Sequence, residues 1–434
     1  MTDASAQPVL ERYSFPAADC SRIPYGMYRD PDVYALEQER IFRGPVWNYL
    51  ALEAEIPEPG DFRLVEVGDT PVIVNRARDG SLHAMVNRCA HRGAIVQRQQ
   101  HGNTRAHTCC YHQWTYNLTG KLTGVPFRYG VDGVGGLPED FDRACHSLRK
   151  LRVESLSGAI FGTFDETTEP LETFLGPLFV EQVKRLFAKP VRVLGYQRQR
   201  IFGNWKLYTD NLRDPNHGGL LHMFQIAFGI ARLNGTGGAR MDAEGKHNLS
   251  WAAQGGRAAA EAETPPDEAA TYADTGRGDQ QISLRDPSMM VYRKEFPDEL
   301  TLAISSLFPN CALQQISNTL AVRQIRTRSA DEFEIVSTFF GYADDDESMT
   351  RHRLRMANLA GPAGLVSMED GEAVELVHRA ILRDQQEHSI VEFGGRGPIR
   401  DQENLVSDVP MRGFWMHYCK LMGIAAGASM AEAC

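Results

Sequence analysis

Two short segments, each with one cysteine and one histidine, constrain the fold of this chain more than any other feature. The first has the spacing C-x-H, at Cys89 and His91, and the second has the spacing C-x2-H, at Cys109 and His112. Seventeen residues separate them. Two such loops would each present one thiolate and one imidazole, so that together they can hold two metal ions. The thiolates would bind one ion and the imidazoles the other.

This pair of loops predicts a Rieske [2Fe–2S] cluster, in which two histidines replace two cysteines on one of the irons. Three other interpretations are open. A Cys2His2 zinc site uses the same residue types, but its usual order is C-x2-C followed by H-x3-H. Buried cysteines and histidines can coincide by chance, and a disulfide is disfavoured in a reducing compartment. We expect Cys109 rather than Cys110 to be the ligand, because the two-residue spacer lets Cys109 and His112 both point inward.

A second pair of histidines lies further along the chain, in the segment D-x2-H-x4-H that begins at Asp214. His217 and His222 are five positions apart, which puts them roughly 140° apart on a regular helix. Both can bind one metal ion only if the helix deviates locally, and Pro215, Gly218 and Gly219 would permit a bulge or a break. Two neutral histidines and one carboxylate form the facial triad of non-haem Fe(II) oxygenases.

The carboxylate of this triad has to come from elsewhere in the chain. We predict Asp370, in the segment S-M-E-D-G, with Glu369 as the alternative. Either carboxylate could instead stabilise the N-terminus of a helix predicted over Gly371–Glu387, through the helix dipole. Two histidines at this spacing are a weak signal alone. Their conjunction with a redox-cluster motif in one chain is what favours an iron site.

Composition shifts along the chain predict an α+β fold in three parts. The first part is an N-terminal helical segment, residues 1–44, which we expect to pack on the catalytic domain. An all-β Rieske domain, residues 45–165, has short apolar runs punctuated by Gly-Asp and Asp-Gly turns. A catalytic domain with a mononuclear iron, residues 166–434, includes a mobile surface insertion near 255–281 that is poor in large apolar residues.

Hydrophobic patterning in the catalytic part predicts both helices and strands. The predicted helices are Thr173–Leu186, Asn204–Phe228, Ser348–Leu359 and Gly371–Glu387. The predicted strands are Val191–Ile201, Met289–Arg293, Leu300–Phe308 and Phe333–Tyr342.

Charge and hydropathy narrow the classes of function. The 434 residues include 46 basic and 56 acidic side chains, a formal charge of −10, which argues against binding to nucleic acid or to an anionic membrane. No apolar run reaches the roughly 18 residues of a membrane-spanning helix. The first residues lack the pattern of a secretory leader, which predicts a cytoplasmic protein. Eight cysteines are too sparse for a disulfide scaffold, and their clustering favours metal binding.

Taken together, these motifs resemble one known family, the large (α) subunits of Rieske non-haem iron aromatic-ring-hydroxylating oxygenases. The matching segments are C-A-H-R-G with C-C-Y-H-Q-W, N-W-K-L-Y with D-x2-H-x4-H, and S-M-E-D-G. The resemblance extends over nearly the whole chain, from Ile23 to Trp415. The segments F-R-G-P-V-W-N-Y-L and G-P-A-G are most similar to the branch that acts on anthranilate, salicylate and terephthalate.

The resemblance implies a β Rieske domain and a helix-grip catalytic domain, an antiparallel sheet with helices. It implies an α3 or α3β3 assembly in which the cluster of one subunit serves the iron of its neighbour. The family's bridging carboxylate would be Asp214, which would link His112 to His217 across that interface; otherwise Asp214 is an ordinary helix carboxylate. One residue departs from the family: the position before the first iron histidine is commonly aromatic, and here it is Asn216.

The expected chemistry requires partners and a substrate anchor. The chain has no G-x-G-x-x-G fingerprint, so electrons from NAD(P)H would arrive through a separate reductase, with or without a ferredoxin. A small β subunit is a further expected partner. The resemblance implies that O2 and an aromatic carboxylate are the substrates, an ortho-substituted benzoate such as anthranilate or salicylate first. Such a substrate needs a cation in an apolar pocket. Arg323, which the family branch also has, is our candidate, although a solvent-facing strand arginine is an equal alternative.

Overall fold

The computed structural model describes residues 7–13, 15–227, 233, 235–253, 287–361 and 365–427. The insertion predicted near 255–281 lies outside these residues. The described chain forms two compact units. One is the continuous stretch Phe42–Phe174, and the other combines the residues up to Ile41 with those from Leu175 onward.

The unit Phe42–Phe174 consists mainly of β-strands, which form two antiparallel sheets. The seven-stranded sheet has the order β2-β11-β10-β5-β4-β3-β6, and the three-stranded sheet has the order β7-β8-β9. The strands are β2 Asn48–Leu52, β3 Asp61–Val67, β4 Thr70–Arg76, β5 Leu82–Val86, β6 His101–Asn103, β7 His107–Thr108, β8 Thr115–Tyr116, β9 Leu122–Gly124, β10 Lys150–Leu156 and β11 Ala159–Thr163.

Local sequence explains why this unit forms hairpins. β3 alternates between more and less buried side chains, as expected of a strand with one face in the core. It joins β4 through the two residues Gly68 and Asp69, and Gly68 has a φ of 57°, which a tight hairpin turn requires.

The second unit is organised on one seven-stranded antiparallel sheet of order β12-β18-β17-β16-β15-β14-β13. Its strands are β12 Val191–Ile201, β13 Gly237–Met241, β14 Asn248–Ala253, β15 Leu300–Leu307, β16 Cys311–Ile316, β17 Thr319–Ser329 and β18 Glu332–Tyr342. A separate pair joins β1 Arg22–Pro24 to β19 His388–Ile390.

Eight α-helices are described, and several of them pack on this sheet. They are α1 Gln7–Leu10, α2 Pro31–Glu37, α3 Leu171–Leu186, α4 Trp205–Leu212, α5 Met223–Ala227, α6 Glu347–Ala360, α7 Leu365–Ala380 and α8 Val409–Met422. The end of α3 lies on one face, where the Tyr342 hydroxyl donates to the Leu186 carbonyl. On the other face Ala357 of α6 packs against Ala321 and Phe339, and Tyr208 of α4 lies 5.8 Å from Phe333.

A buried ion pair ties the N-terminal segment to the rest of the second unit. Glu37, at the end of α2, accepts from the Lys206 ammonium at 2.5 Å, and both side chains are fully buried. The same carboxylate accepts from Trp205 Nε1 at 2.7 Å and from the Tyr418 hydroxyl at 2.6 Å. Three donors therefore satisfy one charge that would otherwise be costly to bury.

The α+β class, with an antiparallel sheet plus helices, is confirmed. The predicted helix Ser348–Leu359 is also confirmed, as α6. The predicted strand Met289–Arg293 is wrong, because the chain forms a 3-10 turn over Pro287–Met290 and is irregular after it. Among the residues described, no helix combines the length and the hydropathy that crossing a bilayer would require.

Candidate functional site

The two Cys-His loops of the first unit share one backbone design. The Cys89 N–H donates to the Ala94 carbonyl at 2.8 Å, and the Cys109 N–H donates to the Trp114 carbonyl at 2.9 Å. The residue four positions after each cysteine donates back to the cysteine carbonyl. That residue has a positive φ in both loops, 73° at Gly93 and 55° at Gln113. Each loop therefore holds its cysteine and histidine in the same fixed relation.

In these loops the sulfurs are buried, and the imidazoles lie nearer to the surface. Cys89 and Cys109 are 3% and 1% exposed, whereas His91 is exposed and His112 is half-buried. The two imidazole rings lie 4.5 Å apart at 72°. Burial raises the pKa of the Cys89 thiol, and the neighbouring Cys109 raises it further. Two thiols inside and two imidazoles outside is the arrangement that a [2Fe–2S] cluster with mixed ligands needs.

Neighbouring residues hold this arrangement in place. The Tyr116 hydroxyl lies 3.2 Å from Cys89 Sγ, and the His91 ring stacks on Trp114 at 4.9 Å and 6°. The buried Nδ1 of His112 has no hydrogen-bond partner among the described residues, so a ring nitrogen is available in the site. Cys110 is exposed, which is consistent with the prediction that Cys109 is the ligand.

In the second unit the chain breaks between the two further histidines. The predicted continuous helix Asn204–Phe228 is wrong: α4 ends at Leu212, a 3-10 turn covers His217–Gly219, and a new helix starts at Met223. Pro215 has no N–H and restricts the residue before it, so the helix cannot continue. The break that two histidines five positions apart require lies further on, between the 3-10 turn at His217–Gly219 and the helix that starts at Met223.

The break brings both imidazoles to one carboxylate. His217 Nε2 lies 3.4 Å from Asp370 Oδ1, and His222 Nε2 lies 3.5 Å from the same oxygen. Their three ligand atoms lie within 4.8 Å of one another, and no other group of this kind occurs in the described part of the chain. Donor atoms at such separations can share one ion that is about 2 Å from each. Three ligands on one side would leave positions open for O2 and substrate.

Asp370 does not lie at the start of a helix. The helix predicted from Gly371 begins six residues earlier, at Leu365, so Asp370 lies in its second turn and is 3% exposed. Burial alone would raise the pKa of this carboxyl, but the hydrogen bond to His217 and the nearby positive charges lower it below the ordinary value. The ionised carboxylate, which is the form that binds a metal ion, is therefore favoured. Because Asp370 lies in the second turn of the helix, it does not cap the helix N-terminus.

The second ring nitrogen of each histidine is fixed by another group. His217 Nδ1 lies 2.5 Å from the Asp214 carbonyl, and His222 Nδ1 lies 3.1 Å from Glu369 Oε2. Glu369 therefore contacts a histidine rather than the point where the three ligand atoms meet. The Asn211 amide donates to Asp370 Oδ1 at 3.1 Å. Such outer contacts set the tautomer that leaves Nε2 free to bind a metal ion.

Sequence reasoning missed Glu369 and Asn211 in these supporting roles. The adjacency of Glu369 to Asp370 was a signal that it lies near the site, but not that it binds an imidazole. Nothing in the sequence pairs Asn211 with a residue 159 positions away.

Asp214 forms the turn that precedes the first histidine. Its Oδ1 accepts from the backbone N–H groups of Asn216 and His217, at 2.8 and 3.3 Å. Its Oδ2 lies 3.8 Å from His217 Nδ1. Burial raises the pKa of this carboxyl. The structure thus brings Asp214 to His217, while the predicted link to His112 involves a second copy of the chain.

Arg323 points toward the helix layer that contains α4 rather than to solvent. It lies in β17 and is 9% exposed, and its guanidinium donates to the Tyr208 hydroxyl of α4 at 3.0 Å. Its positive charge contributes to lowering the pKa of Asp370. Its Nε has no partner among the described residues. A buried guanidinium with one unpaired N–H group therefore faces the layer of helices on this side of the sheet.

Replacing Glu369 by Ala is expected to weaken Fe(II) binding by about 10- to 100-fold, the usual effect of losing a carboxylate that orients a metal-binding histidine. His222 would then be free to rotate or to change tautomer. Titration of metal-free protein with Fe(II) measures the affinity. Glu372→Ala, an exposed carboxylate on the same helix, is the control and should keep wild-type affinity. Equal affinity in both variants would contradict an orienting role for Glu369.

Comparison with known proteins adds the following findings. The model of the Rieske [2Fe-2S] domain matches residues 46–134. The chain is 45% identical to the anthranilate 1,2-dioxygenase large subunit of Burkholderia cepacia, over 94% of this chain and 95% of that protein. It is 42% identical to the terephthalate 1,2-dioxygenase terminal oxygenase component subunit alpha 2 of Comamonas sp, over 93% and 96%.

Two further similarities concern a hydroxylase and a solved structure. The chain is 38% identical to the salicylate 5-hydroxylase large oxygenase component of Ralstonia sp, over 94% of this chain and 96% of that protein. Its fold is similar to the crystal structure of naphthalene 1,2-dioxygenase from Rhodococcus sp., with a TM-score of 0.77 over 97% of this chain and 99% of that one. Sequence identity to that structure is 22%, so this likeness concerns the fold.

Proposed function

Because the chain belongs to the large (α) subunits of the Rieske non-haem iron aromatic-ring-hydroxylating oxygenases, we propose that it hydroxylates an aromatic carboxylate. An ortho-substituted benzoate, anthranilate or salicylate, is the first candidate, and terephthalate, another substituted benzoate or an arylsulfonate is the alternative. The buried Arg323, which faces the helix layer and whose charge acts on Asp370 of the triad, is the observation that carries this proposal. A pure Rieske electron carrier would need only the first unit. The triad in the second unit therefore argues against the function of a pure electron carrier.

We assign the ligands of the two metal centres residue by residue. Cys89 and Cys109 would bind one iron of the cluster, and His91 and His112 the other. The mononuclear iron would be held by His217, His222 and Asp370. When bound, the cluster supplies single electrons and the mononuclear iron supplies the position at which O2 is activated. The first set is supported by the burial of the two thiols and the greater exposure of the two imidazoles. The second set is supported by the approach of both His217 and His222 to Asp370 Oδ1.

The electrons would come from NAD(P)H through a separate reductase, with or without a ferredoxin, in the cytoplasm. A homotrimer or an α3β3 assembly with a small β subunit would bring the cluster of one chain to the mononuclear iron of the next. Asp214 would connect the two centres, because its carboxylate lies beside His217 and could accept from His112 of the neighbouring chain.

Arg323 would bind the substrate carboxylate and set the ring in front of the iron. A guanidinium binds a carboxylate through charge-assisted, often bidentate hydrogen bonds. The bond from Arg323 to Tyr208 holds the side chain in one direction, so that the ring position would be fixed before O2 reacts. Oxygen insertion depends on such positioning to within about an ångström.

The test is a single turnover of the reduced holoenzyme with labelled O2 and each of anthranilate, salicylate, terephthalate and benzoate. Product mass gives both the substrate and the number of oxygen atoms inserted. If the holoenzyme converts none of the four while its cluster is reoxidised, the proposed substrate class is wrong.

Replacing Arg323 by Gln is expected to lower kcat/KM for the carboxylate substrate by about 100-fold, since hydrogen bonds to charged groups contribute about 1.5–3 kcal/mol. Steady-state kinetics measures this loss. Arg328→Gln, at the more exposed end of the same strand and paired with Glu334, should leave kcat/KM within about twofold of wild type. An unchanged kcat/KM in Arg323→Gln would contradict the anchor.

A further inference from the structure

Two carboxylates on which the triad depends lie side by side on one helix. Asp370 brings both imidazoles together, and Glu369 lies 3.1 Å from His222 Nδ1. Both belong to the second turn of α7, Leu365–Ala380. Because neighbouring residues of a helix have a fixed geometry relative to one another, the positions of both carboxylates depend on how α7 is held on the sheet.

A side chain of the sheet holds the first turn of this helix through two hydrogen bonds. Gln199 Nε2, in β12, donates to the Ser367 carbonyl at 2.9 Å, and the Ser367 hydroxyl donates to Gln199 Oε1 at 2.7 Å. Ser367 is buried and precedes Asp370 by three positions. A carbonyl oxygen has two lone pairs, so it can accept from Gln199 and also from the helical N–H four residues on, at Gly371. The two bonds therefore attach the helix without interrupting it.

A glycine in α7 makes room for this side chain. A Cβ atom at Gly371 would lie 2.4 Å from Gln199 Nε2, whereas the next residue it would meet, Ile201, would be 3.5 Å away, an ordinary contact distance. Glycine is a weak helix former, yet Gly371 lies inside α7 and directly follows Asp370. The helix thus has a glycine at the position where a larger residue would displace the Gln199 amide.

Further contacts join α7 to the segment that carries the histidines. The Asn211 amide of α4 donates to Asp370 Oδ1 at 3.1 Å, and the Met223 N–H at the start of α5 donates to Glu369 Oε1 at 3.1 Å. The strand that carries Gln199 is anchored in turn, because β12 pairs with β18 from its first residue to its last. The helix is therefore held both by the sheet and by the histidine segment.

We propose that Gln199 is a positioning residue of the mononuclear iron site, which sets how α7 lies on the sheet and thereby places Asp370 and Glu369. This inference rests on the proposed function. Gln199 acts through Ser367 and is not itself a ligand. Without its two bonds α7 would be free to shift along β12. Three ligand atoms that share one ion about 2 Å from each of them tolerate little displacement.

Two variants of the full chain break this contact in different ways. Gln199→Ala removes the amide, and Gly371→Ala displaces it with a methyl group. Fe(II) titration of protein that keeps its cluster but lacks the mononuclear iron measures the affinity of the triad. We expect each variant to lower this affinity by about tenfold, the value of one hydrogen bond. The double variant should lose no more than either single variant, because both changes remove the same interaction.

Arg198→Ala is the matched control. Arg198 is exposed, precedes Gln199 in the same strand and points to the opposite face of the sheet, so its removal should leave the Fe(II) affinity unchanged. Alanine favours a helix more than glycine does, and Gly371→Ala should therefore keep the wild-type urea midpoint while its Fe(II) affinity falls. The positioning role is refuted if Gln199→Ala binds Fe(II) like the wild type, or if the two losses multiply to about 100-fold in the double variant. Gln199→Ala decides alone if Gly371→Ala does not fold.

Fe(II) affinity is measured without substrate, so the two proposals can fail separately. If the wild-type holoenzyme oxygenates none of the four benzoates while Gln199→Ala binds Fe(II) about tenfold more weakly, the proposed substrate class is wrong and the positioning role stands. If the wild-type chain binds no iron beyond that of its cluster, the proposed function fails, and the positioning role with it.

Discussion

Replacing His217 by Ala is expected to lower oxygenation by roughly 10³-fold or more while the absorption spectrum of the cluster stays that of the wild type. His217 Nε2 is one of three ligand atoms that meet at Asp370. Removing it leaves two donors, and a metal centre contributes several kcal/mol to lowering the barrier of the reaction it serves. Iron content should fall from about three to about two atoms per chain.

Product yield, spectrum and iron content are measured on the same samples. His101→Ala, which removes an exposed histidine outside both predicted ligand sets, should retain all three wild-type values. Oxygenation at the wild-type rate in His217→Ala would show that the facial-triad assignment is wrong. Loss of the cluster spectrum would contradict the separation of the two ligand sets.

Replacing Lys206 by Met is expected to destabilise the second unit by about 3–5 kcal/mol, the usual cost of leaving a buried charge without its partner. Glu37 has no exposed surface, so water cannot take over the role of the ammonium. Burial lowers the pKa of Lys206, although Glu37 opposes this. Urea unfolding, followed by tryptophan fluorescence, measures the loss.

A double variant separates the charge from the packing. Glu37→Gln combined with Lys206→Met removes both charges and keeps an acceptor oxygen for Trp205 Nε1, while the new amide N–H can donate to the Tyr418 hydroxyl, which now donates to Glu37. It should regain much of the lost stability, because breaking a buried pair costs more than replacing both members. A double variant no more stable than Lys206→Met alone would mean that the methionine fails to pack, and that the unpaired charge is not the cause.

Residue types at fixed spacing were enough to predict the cluster loops, the pair of histidines and the need for a break between them. Gly218 and Gly219 lie between the two histidines and made that break foreseeable, since glycine is a weak helix former, whereas Pro215 precedes both histidines. The length of the non-helical segment was not predicted. The helix predicted over Asn204–Phe228 has apolar residues before and after this segment, and hydrophobic periodicity alone does not show where a helix ends.

Contacts between distant segments could not be predicted from local pattern. Asn211 and Asp370 are 159 positions apart, and a single sequence contains no signal that joins them. The direction of Arg323 was equally open, since alternation in a strand fixes which residues share a face but not which face is buried.

The division of the chain into units has a consequence for its synthesis on the ribosome. Residues 42–174 are continuous, so this unit can fold as soon as it has emerged. Glu37 precedes it, yet its partner Tyr418 follows 381 positions later. At roughly 5–20 residues per second, translation takes about 20–80 s to cover that distance. Until then the Glu37 carboxylate lacks one of its three donors, although Trp205 and Lys206 have already been made. The order of translation therefore favours folding of the first unit before the second. The second unit includes the first residues of the chain and can be completed only when the last helix has been made.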